Sequence, residues 1–235
     1  MSQLFKTYPK LETVFDRNKD TFNVLPEVLR NPEYGLINKW LITEKIDGTN
    51  IRVGLIDGKR EIGGRSDNAQ IPSTIIKFLD VNLPEAKLKE YFAGYGYAPE
   101  TPVILFGEGY GPGIQKGGYY RTDAAFILFD VMVDGFWLNF SSVVEIAKNL
   151  GIDSVPVLNF QSTIHECLGF DDMKNKICLN RNYQNSRLAK NLTGNDHISE
   201  GIVARTEPLL LDRRGDRIMW KLKVSDFTHP EKTTK

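Results

Sequence analysis

The sequence predicts an α+β fold in which antiparallel sheets are flanked by helices, and three observations carry this. β-rich runs are punctuated by Asp-Gly pairs, strand and helix signals come in mixed rather than alternating order, and 235 residues suit a single domain spanning 1–235. Residues 40–56, WLITEKIDGTNIRVGLI, form two β-rich runs interrupted by Asp47-Gly48. A second Asp-Gly, Asp57 and Gly58, closes a hairpin, and Lys45 falls where a strand ends. Helices follow over 73–80 and 84–92, then strands over 102–108 and 124–133. Between those strands, the glycine-rich stretch 107–118 is the least regular part of the chain and suits a loop over a ligand. A helix over 142–150 has capping-box spacing at Ser142 and Glu145 and a stop at Gly151, and the last strands cover 201–205 and 218–223. No internal repeat, low-complexity tract or linker divides the sequence.

Composition narrows the function classes. No stretch is long or apolar enough to span a bilayer, and residues 1–12 lack the apolar centre of a signal peptide, so a cytoplasmic protein without membrane contact is expected. Two cysteines, Cys167 and Cys178, and three scattered histidines do not make a zinc cage. Lys+Arg and Asp+Glu are equal at 30 each, so attraction to a polyanion must come from a local basic surface. One such cluster is Arg213, Arg214, Arg217, Lys221 and Lys223.

The chemistry-bearing residues start with Lys45-Ile46-Asp47-Gly48. A lysine attacks only as the neutral amine, while an unperturbed one, with a pKa near ~10.4, is almost wholly protonated at pH 7. Neighbouring cations favour the neutral form, and Lys221, Lys223 and a bound metal are the candidates. Gly48 permits a tight turn behind the lysine, and Asp47 adds a carboxylate for the ammonium or a metal. Covalent transfer of a nucleotide needs four further functions. Phe129 offers a base an aromatic face, Glu108 offers ribose hydroxyls an acceptor, and Glu200 offers a metal a hard oxygen. Lys221 and Lys223, alternating on one strand, put fixed positive charge on one face for a phosphate.

These residues resemble the motifs of the covalent nucleotidyltransferase superfamily of ATP-dependent ligases and capping enzymes. Within it, the chain looks like the RNA ligase 2 branch, typified by phage and kinetoplastid RNA-editing ligases. EKIDGTN at 44–50 resembles the nucleophile motif, with Asp47 where some members carry histidine. FGEGYG at 106–111 and the following GPGIQKGGYY resemble the third motif and the loop after it. FILFDV at 126–131, SEGIVAR at 199–205 and WKLK at 220–223 are similar to the aromatic strand and to the fourth and fifth motifs, and LFKTYPKLE at 4–12 looks like the opening of such ligases. The resemblance implies an ATP-grasp-like ligase adenylation domain in which Lys45 is adenylylated. It implies that Glu44 and Phe129 hold adenine, Glu108 the ribose, Lys221 and Lys223 the phosphates, and Glu200 with Asp47 a metal, expected to be Mg2+. Arg65, in GGRSD, falls where the family has an arginine engaging the phosphate or the RNA end. Asn50 and Lys116 are the further expected contacts to the RNA end. Asparagine at position 50 matches the RNA ligase 2 branch, whereas DNA ligases and GTP-using capping enzymes usually carry arginine there.

Only twelve residues follow Lys223, too few for the OB-fold of DNA ligases or the C-terminal domain of RNA ligase 2. The catalytic domain is therefore expected to stand without an OB-fold, with a protein partner in place of the appended domain. The implied function is ATP-dependent joining of RNA 3′-hydroxyl and 5′-phosphate ends, in a nicked duplex or between separate ends. A small ATP-dependent DNA ligase is the near alternative, and a noncatalytic nucleotide- or nucleic-acid-binding module is the alternative of another class. A GTP-using capping enzyme and an NAD-dependent ligase fit less well, the latter because roughly forty residues before Lys45 leave little room for a nicotinamide-recognition domain.

Overall fold

Asp57 and Gly58 both take positive φ, 48° and 68°, the pair of left-handed residues that a two-residue turn between right-twisted strands demands. They close the hairpin expected from the sequence. The structure, a computed structural model, describes residues 4–227. Along the chain run β1 (Phe15–Arg17), β2 (Val24–Leu29), β3 (Trp40–Lys45), β4 (Thr49–Ile56), β5 (Lys59–Gly64), α1 (Ser73–Asn82), α2 (Glu85–Gly94), β6 (Val103–Tyr110), β7 (Ala125–Val133), β8 (Phe136–Trp137) and α3 (Phe140–Asn149). There follow β9 (Asp153–Ser154), β10 (Val157–Ser162), β11 (Leu168–Asp171), β12 (Lys176–Leu179), α4 (Arg181–Gln184), α5 (Arg187–Thr193), β13 (Gly201–Arg205) and β14 (Met219–Lys223). The result is a mixed α/β chain built on antiparallel sheets with few helices, as expected.

Two local expectations need correction. Helix α3 begins at Phe140 with Asn139 at its N-cap, so Ser142 lies inside the first turn and no Ser142–Glu145 capping box forms. Phe140 decides the start: it is buried, in register with Val143 and Ala147, and extends the apolar stripe backwards by one turn. The stretch 107–118 is not loop from its beginning, because β6 continues through Tyr110. Gly107 fits that strand because the Phe126 ring lies over it; a Cβ there would meet the ring at 2.3 Å.

The chain forms two compact units, one of residues 1–9 and 47–155, the other of residues 10–46 and 156–235. In the first, a sheet of order β5-β4-β6-β7-β8 is antiparallel throughout, and β9 adds to β7 in parallel. Helices α1 and α3 pack against β7. Phe5, Ile56, Ile104, Phe106 and Met132 form a buried cluster, with Tyr8, Phe129 and Trp137 packed beside it.

In the second unit, the sheet order is β10-β3-β13-β14, again antiparallel. Its core centres on Trp40 of β3 and Trp220 of β14, both fully buried, with ring centroids 5.4 Å apart. Tyr34, Ile42, Ile202 and Leu222 pack in the same cluster. Two hairpins, β1–β2 and β11–β12, complete the unit. Because β13 is hydrogen-bonded to β3 on one side and to β14 on the other, this sheet sets the spacing of the residues that follow.

Candidate active site

Gly201, the first residue of β13, pairs with Lys45 at the end of β3 and with Lys223 at the end of β14. The residue before it, Glu200, therefore lies between two lysines. Its Oε2 is 2.5 Å from Lys45 Nζ, and its Oε1 pairs with Lys223 Nζ. Burial alone would push the Glu200 carboxyl up, but the two ammonium groups outweigh it and hold the carboxyl below its ordinary value. All three side chains keep some exposure, between 16% and 32%, so a solute can reach them. The site needs glycine at 201: a Cβ there would sit 2.2 Å from the Leu222 carbonyl oxygen, on backbone that cannot yield.

Lys221 lies two residues before Lys223 on β14 and both line an open cavity of about 580 Å3, so they share a face as expected. Arg17 and Arg30 line the same cavity, each already paired with a carboxylate, Asp226 and Glu12 respectively. Burial, and then the nearby charges of Lys45 and Lys223, lower the pKa of Lys221. Lys45 and Lys223 share one carboxylate, and Lys221 adds a third positive charge close to both. An anion such as a phosphate would balance that charge.

Glu44 occupies a different environment from that of its neighbour. It is 1% exposed, and its carboxylate accepts hydrogen bonds from Ser186 Oγ at 2.5 Å and from the Leu188 amide at 2.9 Å. Ser186 is the N-cap of α5 and accepts the Ala189 amide at 2.9 Å. Glu44 thus ties β3 to the start of α5. Burial raises its pKa, opposed by these hydrogen bonds.

In the first unit, Asn50 and Glu108 are direct cross-strand partners on β4 and β6. Phe106, two residues from Glu108, and Phe129 both pack on the Tyr8 ring, at centroid distances of 5.3 and 4.9 Å. The three expected site residues Asn50, Glu108 and Phe129 accordingly belong to one face of the sheet. Phe129 is the extra residue of a bulge, since Phe106 pairs with Asp130 and Gly107 with Leu128. Asn50 Oδ1 is buried without a hydrogen-bond partner among the described residues. Gly48 is fixed by close approach, because a Cβ there would lie 2.3 Å from the Gly109 carbonyl oxygen. The Asp47 amide donates to the Tyr120 hydroxyl at 3.2 Å. Arg65 is exposed in the turn after β5, and Lys116 is exposed just before a short 3-10 turn, Gly117–Tyr119.

Among the described residues, no group of three His, Cys, Asp or Glu side chains converges on a cation site. A donor set of single carboxylates fits Mg2+, which keeps its waters and binds one or two carboxylates plus substrate phosphates. Glu200, the carboxylate expected to hold it, has both oxygens paired with lysines, Lys45 and Lys223.

Sequence reasoning missed Ser186 and α5. The available signal was Ser186 before a short helix and Gly194 after it, where Gly194 takes φ 73° at the C-terminal cap. It also missed Arg52, a residue whose burial could not be read from the alternating strand pattern around it.

Comparison with known proteins bears on the family and the fold. The family model described as RNA ligase matches residues 38–223. Among solved structures, an apo variant of Naegleria gruberi RNA ligase aligns at 16% identity with a TM-score of 0.58, covering 96% of this chain and 57% of the other. Another variant of that ligase, solved with ATP and Mn, aligns at 17% identity and TM-score 0.58, covering 96% and 58%. A third, with AMP and Mn, aligns at 16% and 0.59, covering 96% and 57%. The chain spans less than three fifths of the length of these ligases, and at such identities the likeness is one of fold. No curated protein matches by sequence. With the family model matching residues 38–223, most of the sequence, the chain belongs to the RNA ligase family.

Proposed function

We propose that the protein is an ATP-dependent RNA ligase that works through a lysyl-AMP intermediate on Lys45. The observation that carries this reading is the placement of Lys45 Nζ 2.5 Å from Glu200, with Lys223 on the other oxygen of that carboxylate. In the first step the Lys45 amine, having shed its proton, attacks the α-phosphorus of ATP, and the bond to pyrophosphate breaks. The RNA 5′-phosphate then displaces the lysine and takes the AMP. Finally a 3′-hydroxyl attacks that 5′-phosphate and AMP leaves. All three are in-line displacements, which positioning and fixed cations serve better than elaborate acid–base chemistry.

Lys221 and Lys223 supply positive charge to the α-phosphate as it becomes pentavalent. Glu200 would hold Mg2+, Asp47 is the other carboxylate proposed for it, and the ion would supply charge neutralisation to the triphosphate. Glu108 accepts the ribose hydroxyls, and Phe129 offers its ring to adenine. Glu44 acts on adenine from the strand that α5 anchors. Asn50, Arg65 and Lys116 meet the RNA end; Arg65 and Lys116 are exposed, which supports this. Asparagine at 50 supports RNA over DNA ends and the RNA ligase 2 branch. A partner protein would complement the domain in gripping RNA. A cytoplasmic location is part of this proposal, and no described helix is long and apolar enough to cross a membrane.

The test is incubation with α-labelled ATP and magnesium. We expect a labelled protein adduct that Lys45→Ala abolishes; an adduct that survives the substitution would remove the mechanism. A panel of nicks then separates substrates. Preferential sealing of a nick with a 3′-ribonucleotide supports RNA, and equal sealing of an all-DNA nick supports a DNA ligase.

A further inference from the structure

We infer that Arg52 is a positioning residue that fixes the turn carrying Arg65, and so sets where the Arg65 guanidinium meets its phosphate. The inference rests on the role proposed above for Arg65. Arg52 lies on β4 and is completely buried. Its guanidinium donates to two segments, the N-terminal stretch at Phe5 and the turn from Gly64 to Asp67. Nε donates to the Gly64 carbonyl at 3.0 Å, Nη1 to the Phe5 carbonyl at 2.6 Å, and Nη2 to the Asp67 carboxylate. Gly64 and Asp67 flank Arg65, one immediately before it and the other two residues after. The same side chain therefore grips both ends of the Arg65 turn.

The surroundings are shaped for this grip. Phe5 lies under the guanidinium, 4.4 Å from its centre. At Gly63 a Cβ would stand 2.7 Å from Arg52 Nε, and at Gly54 it would stand 2.7 Å from the Phe5 ring. Two glycines on neighbouring strands thus open the slot that the arginine and the phenylalanine fill. A buried charge is costly unless it is paired and hydrogen-bonded. Asp67 supplies the pairing charge from the solvent side, with 59% of its side chain exposed. Arg65 is itself exposed, with no ion pair among the described residues, and its guanidinium is available to an anion. A planar guanidinium pays off in recognition only when it is held in register with the phosphate, and a turn anchored on both sides provides that.

Asp67 gives the test, since it is exposed; because its removal leaves the buried Arg52 charge without its carboxylate, stability is measured alongside activity. Sealing kinetics on a nicked RNA would be measured for the parent, Asp67→Ala, Arg65→Ala and the double variant, with the melting temperature of each. We expect Arg65→Ala to raise KM for the nick about tenfold and Asp67→Ala to raise it about threefold to tenfold, with the double variant no worse than Arg65→Ala alone. Asp67→Asn, which keeps an acceptor oxygen for Arg52, should restore most of the loss, and it also serves should Asp67→Ala fold poorly. Effects of the two single variants that multiply in the double would overturn the inference while leaving the role of Arg65 intact. An Arg65→Ala enzyme with unchanged KM and kcat would instead remove the role of Arg65, and the positioning claim with it. In either case, formation of the Lys45 adduct reports separately on the proposed chemistry.

Discussion

Glu200 sits between two ammonium groups, and this makes the stability of the site depend on pH in a defined direction. Its carboxyl is held below the ordinary value of 4.5 in the folded protein. In the acid range the unfolded chain therefore binds a proton more readily than the folded one, and folding stability rises with pH there. The contribution is complete above pH 4.5 and is lost as pH falls through the folded value. We expect Glu200→Gln to lose less stability than the parent between about pH 6 and about pH 3.5, as read from urea unfolding midpoints. An unchanged acid slope would mean that the Lys45–Glu200–Lys223 contact does not hold in solution. At this scale the sequence nominated Lys45, Glu200, Lys221 and Lys223, because they stand in recognisable local motifs, and the structure brings Lys45, Glu200 and Lys223 into contact. The sequence did not name the partners of Glu44, since Ser186 and Leu188 are 142 and 144 residues away.

Elements differ in how far they can be read in advance. The strands were legible because β-branched and aromatic runs end in turn residues, as in Trp40–Lys45 and Thr49–Ile56. Their partners were not: the two runs on either side of Asp47-Gly48 join different sheets. Helix α5 escaped because its seven residues are too few for an amphipathic pattern to declare itself. Strand β13 is the element on which the candidate site most depends, as it carries Glu200 into place between β3 and β14. Its first residue tolerates no side chain, since a Cβ at Gly201 meets the Leu222 carbonyl and the Lys223 Cα at 2.2 and 2.7 Å. Gly201→Ala should therefore cost more than about 3 kcal/mol of stability and abolish adduct formation. A well-folded, adduct-forming variant would show that the close strand approach is not required.

For the whole molecule, the balance of 30 basic and 30 acidic residues means that no general attraction draws the chain to RNA. Affinity must come from a few placed cations, of which Arg65 and Lys116 are assigned to the RNA end. A single-stranded phosphate contact contributes about −0.7 to the slope of log K against log salt. The slope for a single-stranded 5′-phosphorylated RNA should then be no steeper than about −3. A slope beyond about −5 would instead require a long basic track. The sequence by itself supplied the candidate side chains, their order and the strands on which they stand. Only the tertiary structure decided who holds whom. Glu200 bridges two lysines, Ser186 anchors Glu44, and Arg52 pins the turn of Arg65, because each arrangement depends on strand order, register and packing that no local pattern encodes.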